Sequence, residues 1–159
     1  MLLGDKLIEN STSHAAGRAL LAALYKQYCG KEMPPVFTTP LGKPYFENGP
    51  YFSITHTKTR VFCALSDKPI GIDAEELDRK IDLRLADKIL SSEEKRRFDN
   101  APDKHLALLK LWVLKEADAK RTGKGFQYPN HTDFSPDDPR ITVREGCLLA
   151  VIEEEYDAV

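Results

Sequence analysis

The chain has 159 residues, 42% hydrophobic and 30% charged, with a formal net charge of −2. That is enough chain for one well-packed domain and too little for two independent ones. A near-neutral chain has no global field to gather nucleic acid or an anionic membrane, so neither is expected as a partner. Cys29, Cys63 and Cys147 are odd in number and widely separated, which argues against a disulfide framework or a thiolate zinc site and fits a reducing cytoplasm. Asp5, Lys6 and Glu9 interrupt what would be the apolar core of a secretory leader, and no apolar run is long enough to cross a membrane.

Ser13 precedes a run from His14 to Tyr28 in which Leu20, Leu21, Leu24 and Tyr28 recur at helical spacing, and Gly30 follows where such a helix stops. Met33 to Pro50 holds Pro34, Pro35, Pro40, Pro44 and Pro50 and reads as extended segments and turns. Tyr51–Thr57 and Val61–Ser66 are aromatic and β-branched runs joined by a short polar stretch, a hairpin pattern. Pro69–Asp73 reads as a further strand. Ile81, Leu85, Ile89 and Leu90 keep a helical period, and Ser91-Ser92-Glu93-Glu94 carries the capping signature of another helix. His105–Lys120 is the strongest helical stretch and is expected to be the buried central helix, ended by Gly123 and Gly125. Tyr128–Arg140 reads as a loop, and Ile141–Val143 with Leu148–Ile152 as a terminal hairpin turned near Glu145-Gly146.

Three places carry side chains suited to chemistry. In Gly71-Ile72-Asp73-Ala74-Glu75 an apolar strand runs into two carboxylates one residue apart, which in extended chain face the same side and offer hard oxygen donors to Mg²⁺. The plainer reading is two solvated acids at a strand end. In Trp112-Val113-Leu114-Lys115-Glu116-Ala117-Asp118-Ala119-Lys120 the buried helix abruptly presents charge, with Glu116 and Lys120 one turn apart. Lys115 continues the apolar stripe, so its stem is expected to pack while its ammonium reaches a cleft. Alternatively Glu116 and Lys120 are only a surface ion pair. Lys43, fixed in Leu41-Gly42-Lys43-Pro44, and His56, in Phe52-Ser53-Ile54-Thr55-His56-Thr57, could hold a phosphate or frame a nucleotide. Singly, each is an ordinary turn or structural residue.

In order and spacing these elements resemble the 4′-phosphopantetheinyl transferase superfamily, in its surfactin-synthetase-activating branch. The resemblance runs from Ala15-Ala16-Gly17-Arg18-Ala19-Leu20-Leu21 through Gly42-Lys43-Pro44 and Ser53–Thr57 to Gly71-Ile72-Asp73-Ala74-Glu75. It continues through Ser91-Ser92-Glu93-Glu94 to Trp112…Lys115-Glu116-Ala117…Lys120 and Gly123-Lys124-Gly125. The acid pair followed by tryptophan-x-x-lysine-glutamate-alanine-x-x-lysine is its specific part; the glycine-lysine-proline turn alone is not.

The resemblance implies an α+β fold, an antiparallel sheet packed on a long central helix, as a single domain over residues 1–159. It further implies a shortened pseudodimer, with a truncated N-terminal half over about 1–66 lacking its first strands, and a C-terminal half over about 67–159 carrying the metal site. It implies a Mg²⁺-dependent transfer, Mn²⁺ also suiting such ligands, of phosphopantetheine from coenzyme A to a serine of an apo acyl, peptidyl or aryl carrier protein. Metal ligands would be Asp73, Glu75 and Glu116, and the catalytic residues Glu116 and Lys120. The base is Glu116 or a water on the metal. Coenzyme A contacts would come from Arg18, Lys43, His56, Lys115, Lys120 and Lys124. A further acid of the family aligns best with Glu94, its neighbour Glu93 keeping the choice open. Arg84, Lys88, Lys95, Arg96 and Arg97 form a local basic region that could dock an acidic carrier helix or be a solvated face. Thr55 stands where serine is usual and keeps the hydroxyl; Ala74, between the acids, supplies no ligand. The rival readings are a Mg²⁺-dependent nucleotide pyrophosphohydrolase and an inactive coenzyme A or carrier-protein binding module.

Overall fold

The computed structural model describes residues 1–125 and 132–155. Its elements are β1 (Leu2–Leu7), α1 (Ser13–Cys29), β2 (Phe37–Thr38), β3 (Pro44–Tyr45), β4 (Tyr51–His56), β5 (Arg60–Ser66) and β6 (Ile70–Glu76). A 3₁₀ turn (Leu83–Leu85), α2 (Ala86–Ile89), α3 (Ser92–Asp99), α4 (Lys104–Thr122), β7 (Ile141–Arg144) and β8 (Cys147–Glu153) complete the chain. The class is α+β with antiparallel sheets.

Strand order is β1-β5-β4 in one sheet and β6-β8-β7 in another, with β2 and β3 a separate small ribbon. In each three-stranded sheet a first strand is followed by a long helix and then a hairpin, whose second strand takes the centre and pairs with both others. Period-two alternation divides each central strand between two cores. Val61, Cys63 and Leu65 of β5 pack under α1 with Leu20, Leu21, Leu24 and Tyr25. Ala150 and Ile152 of β8 pack under α4 with Leu108, Leu111 and Leu114. Phe62, Ala64, Ile70, Ile72, Ala74, Cys147 and Leu149 form the third core, where strands of both sheets meet.

Thr12 rather than Ser13 caps α1, its side chain accepting from Ala15 N, and Gly30 ends that helix at φ 74°. Asp103 caps α4 and left-handed Gly123 closes it. Leu2–Leu7, given no element by its sequence, is a strand because it pairs with β5 from Leu2↔Leu65 to Leu7↔Arg60. The period over Ile81–Leu90 yields only a 3₁₀ turn and the four-residue α2. Leu90 must turn extended (ψ 142°) so that Ser91 can cap α3 through a capping box with Glu94. The terminal hairpin turns at Glu145 and Gly146, both at positive φ. Of the expected 128–140 loop, residues 128–131 lie outside the described residues.

Candidate functional site

The site begins with the alternation of β6. Ile70, Ile72 and Ala74 point into the core between the sheets, so Gly71, Asp73 and Glu75 face α4. Gly71 has no side chain because α4 crosses it directly: a Cβ there would lie 1.9 Å from Ala117 O and 2.4 Å from Arg121 N. That close approach carries the two acids onto the Trp112–Glu116–Lys120 face of the helix, residues four apart and therefore stacked.

Asp73 is buried, and its Oδ1 accepts from Thr55 Oγ1 of β4 at 3.1 Å and from Lys120 Nζ at 3.2 Å. Lys120 Nζ also lies 3.5 Å from Ile54 O. Burial pushes the Asp73 carboxyl above its usual range, with the Lys120 charge opposing. Burial likewise raises Glu75; the Arg79 guanidinium opposes it, Asp73 adds to it, and a hydrogen bond from Trp112 eases it. Arg79 Nη1 donates to Glu75 Oε1. Glu116, half-buried, is raised by burial and next by the Asp73 charge. Three carboxylates thus share one field.

Among the described residues no three acid, histidine or cysteine side chains are already gathered as a metal cluster. The donor chemistry nonetheless fits a hard divalent cation. Asp73 Oδ2 is buried without a hydrogen-bond partner among the described residues, and the Asp73 charge raises the proton affinity of both Glu75 and Glu116. An oxygen-seeking cation relieves both conditions.

A cleft of about 310 Å³ between α4 and the 41–54 region is lined by Lys43, Phe52, Ile54, Glu116, Lys120 and Gly123, with Leu41, Gly42, Pro44, Ser53, Ala119 and Gly125 completing its wall. Lys43 reaches across the cleft: its Nζ donates to Arg121 O at 2.6 Å, at the C-terminal end of α4, and its stem lies over Gly123. Desolvation pulls the Lys43 ammonium below its usual range, the Arg121 charge adding to the effect. His56, its Nδ1 3.2 Å from Thr57 O, lies instead in an adjoining groove with Glu75 and Arg79. Arg18 is half-buried on α1 and Lys124 is exposed beyond α4; neither side chain lines the cleft.

Lys115 corrects the sequence expectation. Its ammonium does not reach the cleft but lies 2.7 Å from Glu94 Oε1, both side chains 0% exposed. The contact is a charge pair without hydrogen-bond alignment. Glu94 itself accepts from Ser91 N and Phe134 N, each at 2.9 Å, so the pair locks α3, α4 and the segment at Phe134 together. This separates Glu94 from Glu93, which is paired with Arg96 on the surface. In the basic region Arg84 pairs with Asp82, Lys95 with Asp87 and Asp99, and Arg97 with Glu93, so much of that charge is compensated internally. Sequence reasoning missed Arg79, whose only signal was its place four residues after Glu75. It also missed Ser53, whose Oγ accepts from Ile72 N at 3.1 Å and joins β4 to β6.

An α+β fold thus forms a cleft where the Glu116 carboxylate meets the Lys43 and Lys120 ammonium groups, Lys120 being held in turn by Asp73. Residues 69–155 match the family model of the 4′-phosphopantetheinyl transferase superfamily, and the chain belongs to that superfamily. It is 36% identical over 91 residues to 4′-phosphopantetheinyl transferase psf-1 of Bacillus pumilus, an alignment covering 55% of this chain and 39% of that protein. With a 4′-phosphopantetheinyl transferase of Bacillus subtilis it is 30% identical over 171 aligned positions, covering 98% of this chain and 70% of the relative. With Sfp of Bacillus subtilis strain 168 it is 35% identical over 134, covering 80% and 54%. The chain spans about two fifths of the length of psf-1 and 38% of that of Gsp from Aneurinibacillus migulanus.

Proposed function

We propose that the chain transfers 4′-phosphopantetheine from coenzyme A to a serine of an apo carrier protein and releases 3′,5′-ADP. The observation that carries this is the convergence of Glu116 and Lys120 with Lys43 in one inter-half cleft, beside Asp73 and Glu75. Coenzyme A lies in that cleft with its phosphates toward Lys43 and Lys120, and His56 and Lys124 reach it from the rims. Arg18 is an outer contact. Lys115 acts from behind, holding the helix that presents Glu116.

Asp73, Glu75 and Glu116 hold Mg²⁺, or Mn²⁺, which when bound neutralises charge on the pyrophosphate oxygens. The carrier serine oxygen forms its bond to the phosphorus nearest pantetheine, the bond from that phosphorus to the bridging oxygen breaks, and the electron pair leaves with 3′,5′-ADP. Glu116, at the mouth of the cleft, takes the serine proton directly or through an intervening water. Lys120 stabilises the departing charge.

The shared strand–helix–hairpin order of the two sheets supports a pseudodimer within one domain, residues about 1–66 and 67–159 forming its halves. The carrier is an acyl, peptidyl or aryl carrier protein of fatty-acid, polyketide or nonribosomal peptide synthesis, and the setting is cytoplasmic. No described helix is long and apolar enough to cross a membrane. Intact-protein mass spectrometry of apo carrier proteins with coenzyme A, with and without Mg²⁺, tests this reading. A metal-dependent gain of about 340 Da supports it. No gain on any carrier class, despite coenzyme A binding, leaves a binding module.

A further inference from the structure

Each acid at the site is matched differently by the chain's own cations. Asp73 has Lys120, which also lines the cleft. Glu75 has Arg79, which does not: it stands beyond the end of β6 in the adjoining groove of about 590 Å³, with Glu76 and Asp78. A strand residue and the residue four later do not ordinarily meet, since extended chain separates them by roughly 13 Å. They meet here because the backbone folds back at once, Arg79 N donating to Glu76 O at 3.0 Å. The guanidinium is 45% exposed and Glu75 19% exposed, so the pair sits at the water's edge rather than in the core.

We infer that Arg79 is a built-in counter-cation, which holds Glu75 when no divalent ion is bound, competes with that ion for Glu75, and so sets the protein's metal affinity. This rests on the reading of Asp73, Glu75 and Glu116 as the metal-holding carboxylates. Three features carry it. The guanidinium engages the same carboxylate that the cation needs. An exposed pair of single charges is weak enough to be displaced by a double charge. Glu76 and Asp78 line the same groove, so the released guanidinium has carboxylates to turn to without leaving it. Arg79 is therefore a positioning residue that touches neither substrate nor reacting atoms.

The probe is Mn²⁺ alone, its free concentration read by electron paramagnetic resonance against the full chain, without coenzyme A or carrier protein. Arg79→Gln removes the competitor and is expected to lower the Mn²⁺ dissociation constant by about three- to tenfold, more at low ionic strength. Arg79→Lys keeps a cation there and stays within about twofold of the parent. In a Glu75→Gln background the Arg79→Gln gain disappears, because the carboxylate competed for is gone. An unchanged or weaker affinity in a folded Arg79→Gln chain overturns the inference, as does a gain that persists without Glu75. Mn²⁺ binding by no variant overturns it together with the metal reading; the carrier mass-gain assay then shows independently whether transfer survives.

Discussion

The two three-stranded sheets, β1-β5-β4 with α1 and β6-β8-β7 with α4, share a strand–helix–hairpin order but not a chemistry. Each first strand places a glycine against its helix: Gly4 of β1 against Leu24 of α1, and Gly71 of β6 against Ala117 of α4. Two residues further on, on the same helix-facing side, β6 carries Asp73 whereas β1 carries Lys6. α1 has no acid anywhere along its length, while α4 supplies Glu116. The one acid of β1, half-buried Asp5, is consumed by Arg60 Nη1 at 2.6 Å and Arg144 Nε at 2.7 Å, tying β1 to β7. One topology thus serves twice: once as a wall, contributing Lys43, Thr55 and the Ile54 carbonyl, and once as the bearer of the acids.

The largest effect expected from this contrast is on turnover. Glu116→Gln should lower phosphopantetheine transfer by at least about 100-fold, as loss of a principal electrostatic group does. Asp5→Asn should leave transfer per folded molecule within about twofold while weakening the structure by about 1–3 kcal/mol, measured as carrier mass gain beside denaturant unfolding. Comparable losses in both variants would erase the division of labour.

Next in size come changes to the packing that presents Glu116. Lys115→Met leaves Glu94 buried and uncompensated and should cost about 3–5 kcal/mol. Adding Glu94→Gln should return part of that in urea unfolding. The glycines discriminate between the two sheets. Gly71→Ala drives a methyl into helix backbone and should cost at least about 3 kcal/mol. Gly4→Ala meets only the Leu24 side chain, nearest at Cδ2 at 2.9 Å, which can move, and should cost clearly less.

The smallest effect is on pH dependence. Asp73, Glu75 and Glu116 are all raised in the folded chain, so the folded state holds their protons more tightly than the unfolded state. Their contribution to stability therefore falls as pH rises from the ordinary carboxylate range, about pH 4, through the raised values, and stays low above them. In a chelator-treated sample Glu116→Gln should narrow the difference in melting temperature between pH 5 and pH 8. A wider difference would mean that these acids are not the strained ones.

What the sequence disclosed follows from what periodicity can report. α4 was legible because Leu108, Leu111 and Trp112 repeat on one face, and Asp73 and Glu75 because strand alternation puts them on one side. β1 was not, because Gly4, Asp5 and Lys6 break its apolar pattern and its pairing with β5 lies some sixty residues away. Helical spacing puts Lys115 on the buried stripe but says nothing of what surrounds its ammonium. Its partner Glu94 belongs to another helix, and burial of a charge is settled by that partner rather than by helical spacing. Lys43 is visible as a turn residue, yet its anchoring on Arg121 O depends on a contact with α4 some eighty residues away in the chain.

The placement of the acids is tested most directly by anomalous diffraction from crystals of the chain soaked with Mn²⁺ and adenosine 3′,5′-bisphosphate. The expected result is one strong peak at coordination distance, about 2.1 Å, from carboxylate oxygens of Asp73, Glu75 and Glu116, with the nucleotide phosphates toward Lys43 and Lys120. A peak elsewhere, or nucleotide bound in the cleft with no metal at these acids, would contradict it.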